Sequence, residues 1–200
     1  MKYIFLYHAC SANVPLHVFA VFLPGGSVKL RIVDPATRRQ PIPRLQEQYV
    51  DQLRQFREQY DEPKSYTYPE TLDISTAYHS NDVSALKAVS RELGLLEDKP
   101  FIVVISPSKD DSYFDQYLPN LSKFPTLSMP KARALHTLDI FSWQMHVACK
   151  LMTQYLTMRS WIEWLITLAD YYDIPMGHVE GDQALYCIDV NTQDQPKDLL

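Results

Sequence analysis

Three β-rich runs crowded into an acid-free opening constrain the fold of this chain more than any other feature. No Asp or Glu occurs in the first 33 residues. Residues 3–9 (YIFLYHA) lead through a turn around Asn13 and Pro15 to residues 17–23 (HVFAVFL). Pro24-Gly25-Gly26 then returns the chain into residues 28–33 (VKLRIV). β-branched and aromatic side chains suit a pleated surface, and a Gly-rich connection between two such runs signals a hairpin. Lys29 and Arg31 alternate with Leu30 and Ile32, the period of a strand with one face in water. The expectation is an antiparallel three-stranded meander with one buried face.

A loop with Pro35, Pro41 and Pro43 follows. Residues 44–60 then read as an amphipathic helix, because Leu45, Tyr49, Leu53, Phe56 and Tyr60 recur at helical spacing. Pro43 fits the position just inside its start, and the polar stretch 61–64 ends it. Residues 67–74 suit a strand weakened by Pro69. Ser80-Asn81-Asp82 offers an N-cap to a helix over 83–93, with Leu86, Val89 and Leu93 on one side and Gly94 as its C-terminal cap. FIVVI at 101–105 has the continuous β-branched character of a strand buried on both faces, and a short strand is expected near 126–129. The stretch 138–172 reads as two apolar helices broken near 156–159. Trp143, Val147, Leu151 and Tyr155 stack on the first; Trp161, Leu165 and Leu168 stack on the second, with Trp164 beside them. This order predicts an α/β fold: an RNase H-like (exonuclease-like) mixed sheet that starts with the antiparallel meander and is followed by a helical segment.

Composition narrows the function classes. A length of 200 residues suits one domain, or one and a part, burying roughly 70% of its unfolded surface. With 46% apolar residues and 12% aromatics the chain is too rich for disorder, and a net charge of −5 excludes a strongly basic nucleic-acid binder. No run approaches the length of a membrane span, and the opening residues do not read as a secretory signal. Cys10, Cys149 and Cys187 are odd in number and far apart, which argues against a disulfide framework and fits a reducing compartment.

An exonuclease of this fold needs carboxylates that hold two metal ions ~4 Å apart. The first strand offers His8 and Cys10 but no acid, and neither replaces the hard oxygen ligands that Mg²⁺ requires. His8 with Cys10, and His146 with Cys149, could each supply two zinc ligands. A closed site needs four, so these read as buried thiols and hydrogen-bonded imidazoles. No Gly-rich phosphate loop or GxSxG elbow is present. Tyr78 to Asp82 matches YxxxD, a pattern of some proofreading exonucleases, but it precedes a helix and Asp82 serves there as a capping residue. Arg31, Arg38, Arg39 and Arg44 form the one basic concentration, a candidate contact for phosphate or for an acidic partner.

From Phe124 to Val190 the chain resembles the C-terminal half of the DNA polymerase epsilon catalytic subunit. The resemblance is carried by Phe124-Pro125 with Leu127, Leu138, Trp143-Gln144, His146, Tyr155-Leu156, Tyr172, Ile174-Pro175, Gly177 and Asp182. VFAVFLP and VKLRIVD extend it faintly to the opening strands. It implies a second exonuclease–polymerase module without working active sites. In that family this half acts in nuclear DNA replication as a scaffold, contacting the other polymerase epsilon subunits and the replicative helicase. A third exonuclease motif would fall around 144–148, yet no Asp or Glu occurs from Ile140 to Ile162. The polymerase palm, the fingers and the family's C-terminal cysteine motifs are missing, so the chain reads as a fragment or short relative.

The expected division is therefore an inactivated exonuclease-like domain over 1–135, a helical continuation toward a degenerate polymerase module over 136–185, and a frayed or truncated tail over 186–200. No catalytic residue, metal or cofactor is expected in this segment. Its location would be nuclear, with DNA contact weak and membrane contact absent. Two alternatives stay open: an active metal-dependent nuclease using Asp34, Asp73, Asp139 and Asp170, and a partner-binding domain unrelated to polymerases.

Overall fold

The strand that opens the sequence becomes the middle of a sheet because both of its faces are apolar. In the computed structural model, which describes residues 2–12, 15–59, 68–96, 101–107, 109, 111–124, 126–128 and 140–171, β1 spans Lys2–Cys10. Phe5, Tyr7 and Ala9 enter one core, whereas Ile4 and Leu6 enter the other. β2 (His17–Phe22) pairs with it antiparallel, placing Cys10 opposite His17 and Phe5 opposite Phe22. β3 (Ser27–Val33) pairs antiparallel with β2. The hairpin between them turns on Gly25 (φ 89°) and Gly26 (φ 87°), a conformation that costs a side-chain-bearing residue steric strain.

The chain continues through α1 (Leu45–Gln59), β4 (Asp73–His79), α2 (Asp82–Gly94), β5 (Phe101–Ser106) and α3 (Asp111–Tyr117). A short 3₁₀ helix (Pro119–Lys123), β6 (Thr126–Ser128) and α4 (Ile140–Tyr171) follow among the described residues. The six strands lie in the order β4-β3-β2-β1-β5-β6. β4 runs parallel to β3, β5 parallel to β1, and β6 parallel to β5. The carboxyl ends of β1, β3, β4, β5 and β6 therefore share one edge of the sheet, where β2 begins.

Helices cover both faces. Leu45, Tyr49 and Leu53 of α1 and Trp143, Val147, Leu151 and Tyr155 of α4 pack on one. Leu86, Val89 and Leu93 of α2, Phe114 and Leu118 of the α3 region, and Leu121 pack on the other. The sequence pattern predicts a meander with a single buried face. Both faces are buried, because Val21 and Phe19 are as apolar as Ala20 and Phe22, and α2 and α3 close over the second side.

Five other expectations change. The strand expected at 67–74 lies at Asp73–His79, since Pro69 is followed by a bend at Glu70 and Thr71 and the parallel partner Val28 selects Ile74 instead. Pro43 is not inside α1. Arg44, at φ 58°, intervenes, and its carbonyl accepts the first helical bond from Gln48 N–H at 2.9 Å. Asn81, not Asp82, caps α2: its side chain accepts from the Ser84 N–H. Gly94 is the last helical residue, and Leu95 ends the helix in a right-handed conformation. Finally, the expected break near 156–159 is absent. No Gly or Pro occurs between Ile140 and Tyr171, and the helix runs unbroken for 32 residues. The side chains of Trp161, Trp164, Leu165 and Leu168 and the tail 186–200 lie outside the described residues.

Candidate functional site

Polar side chains gather where β1 ends and β2 begins. His8 is fully buried, its ring stacked on Phe19 (centroids 4.4 Å apart, 14° between planes) and held edge-on by Phe114. Its Nε2 is 3.4 Å from His17 Nδ1 on β2. That same Nδ1 is 3.4 Å from Asp82 Oδ2, at the first residue of α2. Asp82 Oδ2 also accepts a 2.7 Å hydrogen bond from the Tyr113 hydroxyl on α3. An ionised carboxylate presents only acceptors, so the proton of His17 belongs on Nδ1, between the carboxylate oxygen and the second ring. The register that sets Cys10 opposite His17 also brings the buried Cys10 into this corner.

Burial disfavours the charged form of each imidazole. His8 is held well below the ordinary imidazole range by desolvation, with His17 and Lys109 adding in the same direction. His17 is lowered by burial and by Lys109, with Asp82 pulling the other way. Burial, then the bond to Asp82, pushes the Tyr113 hydroxyl up. The cluster is thus two neutral imidazoles, one carboxylate and one phenol in a chain of contacts. It can relay a proton or fix a geometry. Among the described residues, no three His, Cys, Asp or Glu side chains are grouped to hold a metal ion.

The second pair singled out in the sequence is not buried as expected. His146 is exposed and Cys149 half-buried, because α4 turns its Trp143, Val147 and Leu151 face to the sheet.

The four arginines divide by partner. Arg31 projects from β3 to Glu92 of α2, and both are mostly covered. Arg38 makes a two-pronged bond to Asp34, Nε to Oδ2 at 2.9 Å and Nη2 to Oδ1 at 2.8 Å. That guanidinium, with the Ala36 and Arg38 N–H groups, holds the Asp34 carboxyl below its usual range. Arg44 pairs with Glu47 in the open. Arg39 is exposed, at φ 52°.

The candidate nuclease acids are not brought together where they can be followed. Asp73 opposes Ser27 at one end of the β3–β4 pair, and Asp34 follows Val33 at the other, about 20 Å away at ~3.3 Å per residue. Asp139 and the side chain of Asp170 lie outside the described residues. Sequence reasoning misses the link between His17, Asp82 and Tyr113; only the capping stretch around Asp82 signals it, since the contacts come from three elements distant in sequence.

A family profile described as a domain of unknown function (DUF1744) matches residues 45–194. The chain belongs to this family. The match begins at the first residue of α1 and takes in every later element. The chain is also similar to the DNA polymerase epsilon catalytic subunit of Emericella nidulans, 28% identical over 197 residues, covering 96% of this chain and 9% of that protein. The corresponding Schizosaccharomyces pombe protein is 25% identical over 195 residues, covering 95% and 9%. That of Aspergillus fumigatus is 28% identical over 202 residues, covering 96% and 9%. The chain thus spans about 9% of the length of these curated relatives. Coverage this high takes in the opening meander as well as the family domain, so the resemblance read from motifs extends along nearly the whole chain.

Proposed function

We propose that this chain is a region of a DNA polymerase epsilon catalytic subunit that serves nuclear DNA replication as a non-catalytic scaffold and interaction domain. The similarity to those polymerase chains along nearly its full length supports the placement. The fold reading that goes with it is an inactivated RNase H-like domain. In its favour, an antiparallel β1–β2–β3 meander has parallel strands β5 and β6 added on the far side of β1.

One observation carries the non-catalytic reading: among the described residues, three acids packed beside the sheet are used as internal fastenings. Asp34 clamps Arg38, Asp82 accepts from Tyr113 and faces His17, and Glu92 holds Arg31. Phosphodiester hydrolysis by two metal ions requires carboxylates converging on one point; these are committed at separate places. The activity of the whole polymerase belongs, on this reading, to other parts of the longer protein. The surfaces of this domain contact the remaining polymerase epsilon subunits and the replicative helicase.

The test incubates the purified chain with single-stranded DNA and Mg²⁺ or Mn²⁺, and separately with the purified remaining polymerase epsilon subunits. The expected outcome is no nucleotide release, together with co-elution with one or more of those subunits. Release that disappears in Asp34→Asn or Asp82→Asn overturns the scaffold reading.

A further inference from the structure

The loop joining β3 to α1 carries three of the four arginines singled out in the sequence, and the fold holds it rigid. Residues 35–41 are all exposed, yet both ends are fastened. Asp34 is buried and accepts from the Ala36 N–H, the Arg38 N–H and the Arg38 guanidinium, while its carbonyl accepts from Thr37 N–H at 2.9 Å. At the other end Ile42 enters the core, and Gln144 of α4 donates to the Pro41 carbonyl at 2.8 Å. Pro35, Pro41 and Pro43 each fix one backbone angle. Within this frame Thr37, Arg39 and Arg44 stand at φ 52°, 52° and 58°, a left-handed conformation that residues with a Cβ adopt at a cost and that only a well-determined surround maintains.

The three guanidiniums are not equivalent. Arg38 is committed to Asp34, its charge cancelled by a buried partner. Arg44 meets Glu47 where both side chains are about 60% exposed, a pair that water screens and that a stronger anion can displace. Arg39 has no partner among the described residues. Between Pro35 and Arg44 the chain has no acid, in a protein whose net charge is −5. Two available guanidiniums are therefore displayed by a loop that has little conformational entropy left to lose on binding. Planar guanidinium groups pair with phosphate oxygens through two parallel hydrogen bonds, which an ammonium cannot do.

We propose that the β3–α1 loop is a contact site for the phosphate backbone of DNA, made by Arg39 and Arg44 and held in shape by the Asp34–Arg38 clamp. The choice of DNA over an acidic protein rests on reading the chain as part of a replicative polymerase; the anion chemistry of the loop does not. Such a contact is independent of base sequence and weak, since it neutralises about two phosphates.

The experiment measures binding of the full 200-residue chain to a fluorescent 20-nucleotide single strand and a 20-base-pair duplex, by anisotropy, across ~20 to 200 mM salt. Arg39→Gln and Arg44→Gln each remove one charge while keeping a long side chain. Arg54→Gln, on the exposed face of α1, removes one charge elsewhere. Poly-glutamate is the competing acidic probe, and circular dichroism checks that each variant folds. We expect DNA binding that weakens several-fold in Arg39→Gln and Arg44→Gln, with the log–log salt slope falling by about 0.7 to 0.9 for each, and little change in Arg54→Gln. The proposal fails if the folded chain does not bind DNA at low salt. It fails equally if all three variants weaken alike, or if poly-glutamate binds more tightly with the same dependence on Arg39. Because nuclease activity and co-elution with the other polymerase components are read separately, loss of this site leaves the scaffold reading standing, and loss of that reading leaves the anion measurement intact.

Discussion

His8 is the residue whose placement costs the molecule most in acid. It is neutral, stacked on Phe19 and closed in by Phe114, with His17 and Lys109 both opposing a proton. His17, beside it, is also held low by burial. In the unfolded chain each takes a proton near pH 6.5; in the folded chain each takes it only at lower pH. Below pH 6.5 the unfolded state therefore binds more protons, and stability falls as pH falls, by up to about 1.4 kcal/mol per pH unit for each such group. Above pH 6.5 this contribution is complete and flat. Urea denaturation between pH 5 and 8 is expected to show that loss, and His8→Phe, which keeps a stacking ring, is expected to make the acid limb shallower. An unchanged limb would place His8 outside the cause. The sequence discloses that His8 stands on a first strand without an acid. It does not disclose the partners, because His17 meets His8 only through the β1–β2 register, and Asp82 through the docking of α2.

Among the elements, the β2–β3 hairpin makes the sharpest demand on local chemistry. Both of its glycines have positive φ, but their surroundings differ. A Cβ on Gly25 would meet nothing within 4 Å, whereas one on Gly26 would lie 3.0 Å from the Pro69 ring. Gly26→Ala is expected to destabilise by clearly more than Gly25→Ala, which should cost about 1 to 2 kcal/mol for conformation alone; paired urea melts compare the two. Equal costs would mean that Pro69 yields freely. Elements with a continuous apolar pattern are readable in advance: β1, β2, β3, β5, α1 and α2 fall within a residue or two of their expected places. β4 is displaced because an edge strand, with only Ile74 as a strong apolar residue, carries little periodic signal. The unbroken α4 escapes such a reading because Thr157, Arg159 and Ser160 look like a polar interruption. A helix needs Gly, Pro or an inserted group to break, and none is there.

At the scale of the molecule, two separate cores sit on the two faces of one sheet, and Tyr155 ties four elements of the first. Its ring stacks on Phe22 at 4.1 Å and lies 6.1 Å from Phe5 and 6.3 Å from Tyr49, joining α4 to β2, β1 and α1. Tyr155→Ala is expected to cost about 3 to 5 kcal/mol by chemical denaturation, while Leu95→Ala, at a site 78% exposed, should stay within about 0.5 kcal/mol. A small loss at Tyr155 would mean that α4 is not part of the cooperative unit. The pairing of Lys2 with Phe101 adds a kinetic side to this architecture. A ribosome delivers the meander long before the strand that flanks its inner edge, and the helix that roofs one side comes later still. At roughly 5–20 residues per second, a hydrophobic ribbon with an open margin waits for several seconds in the crowded cell. Pairing of that open margin with a wrong strand during the interval is the misassembly to which this topology exposes the chain.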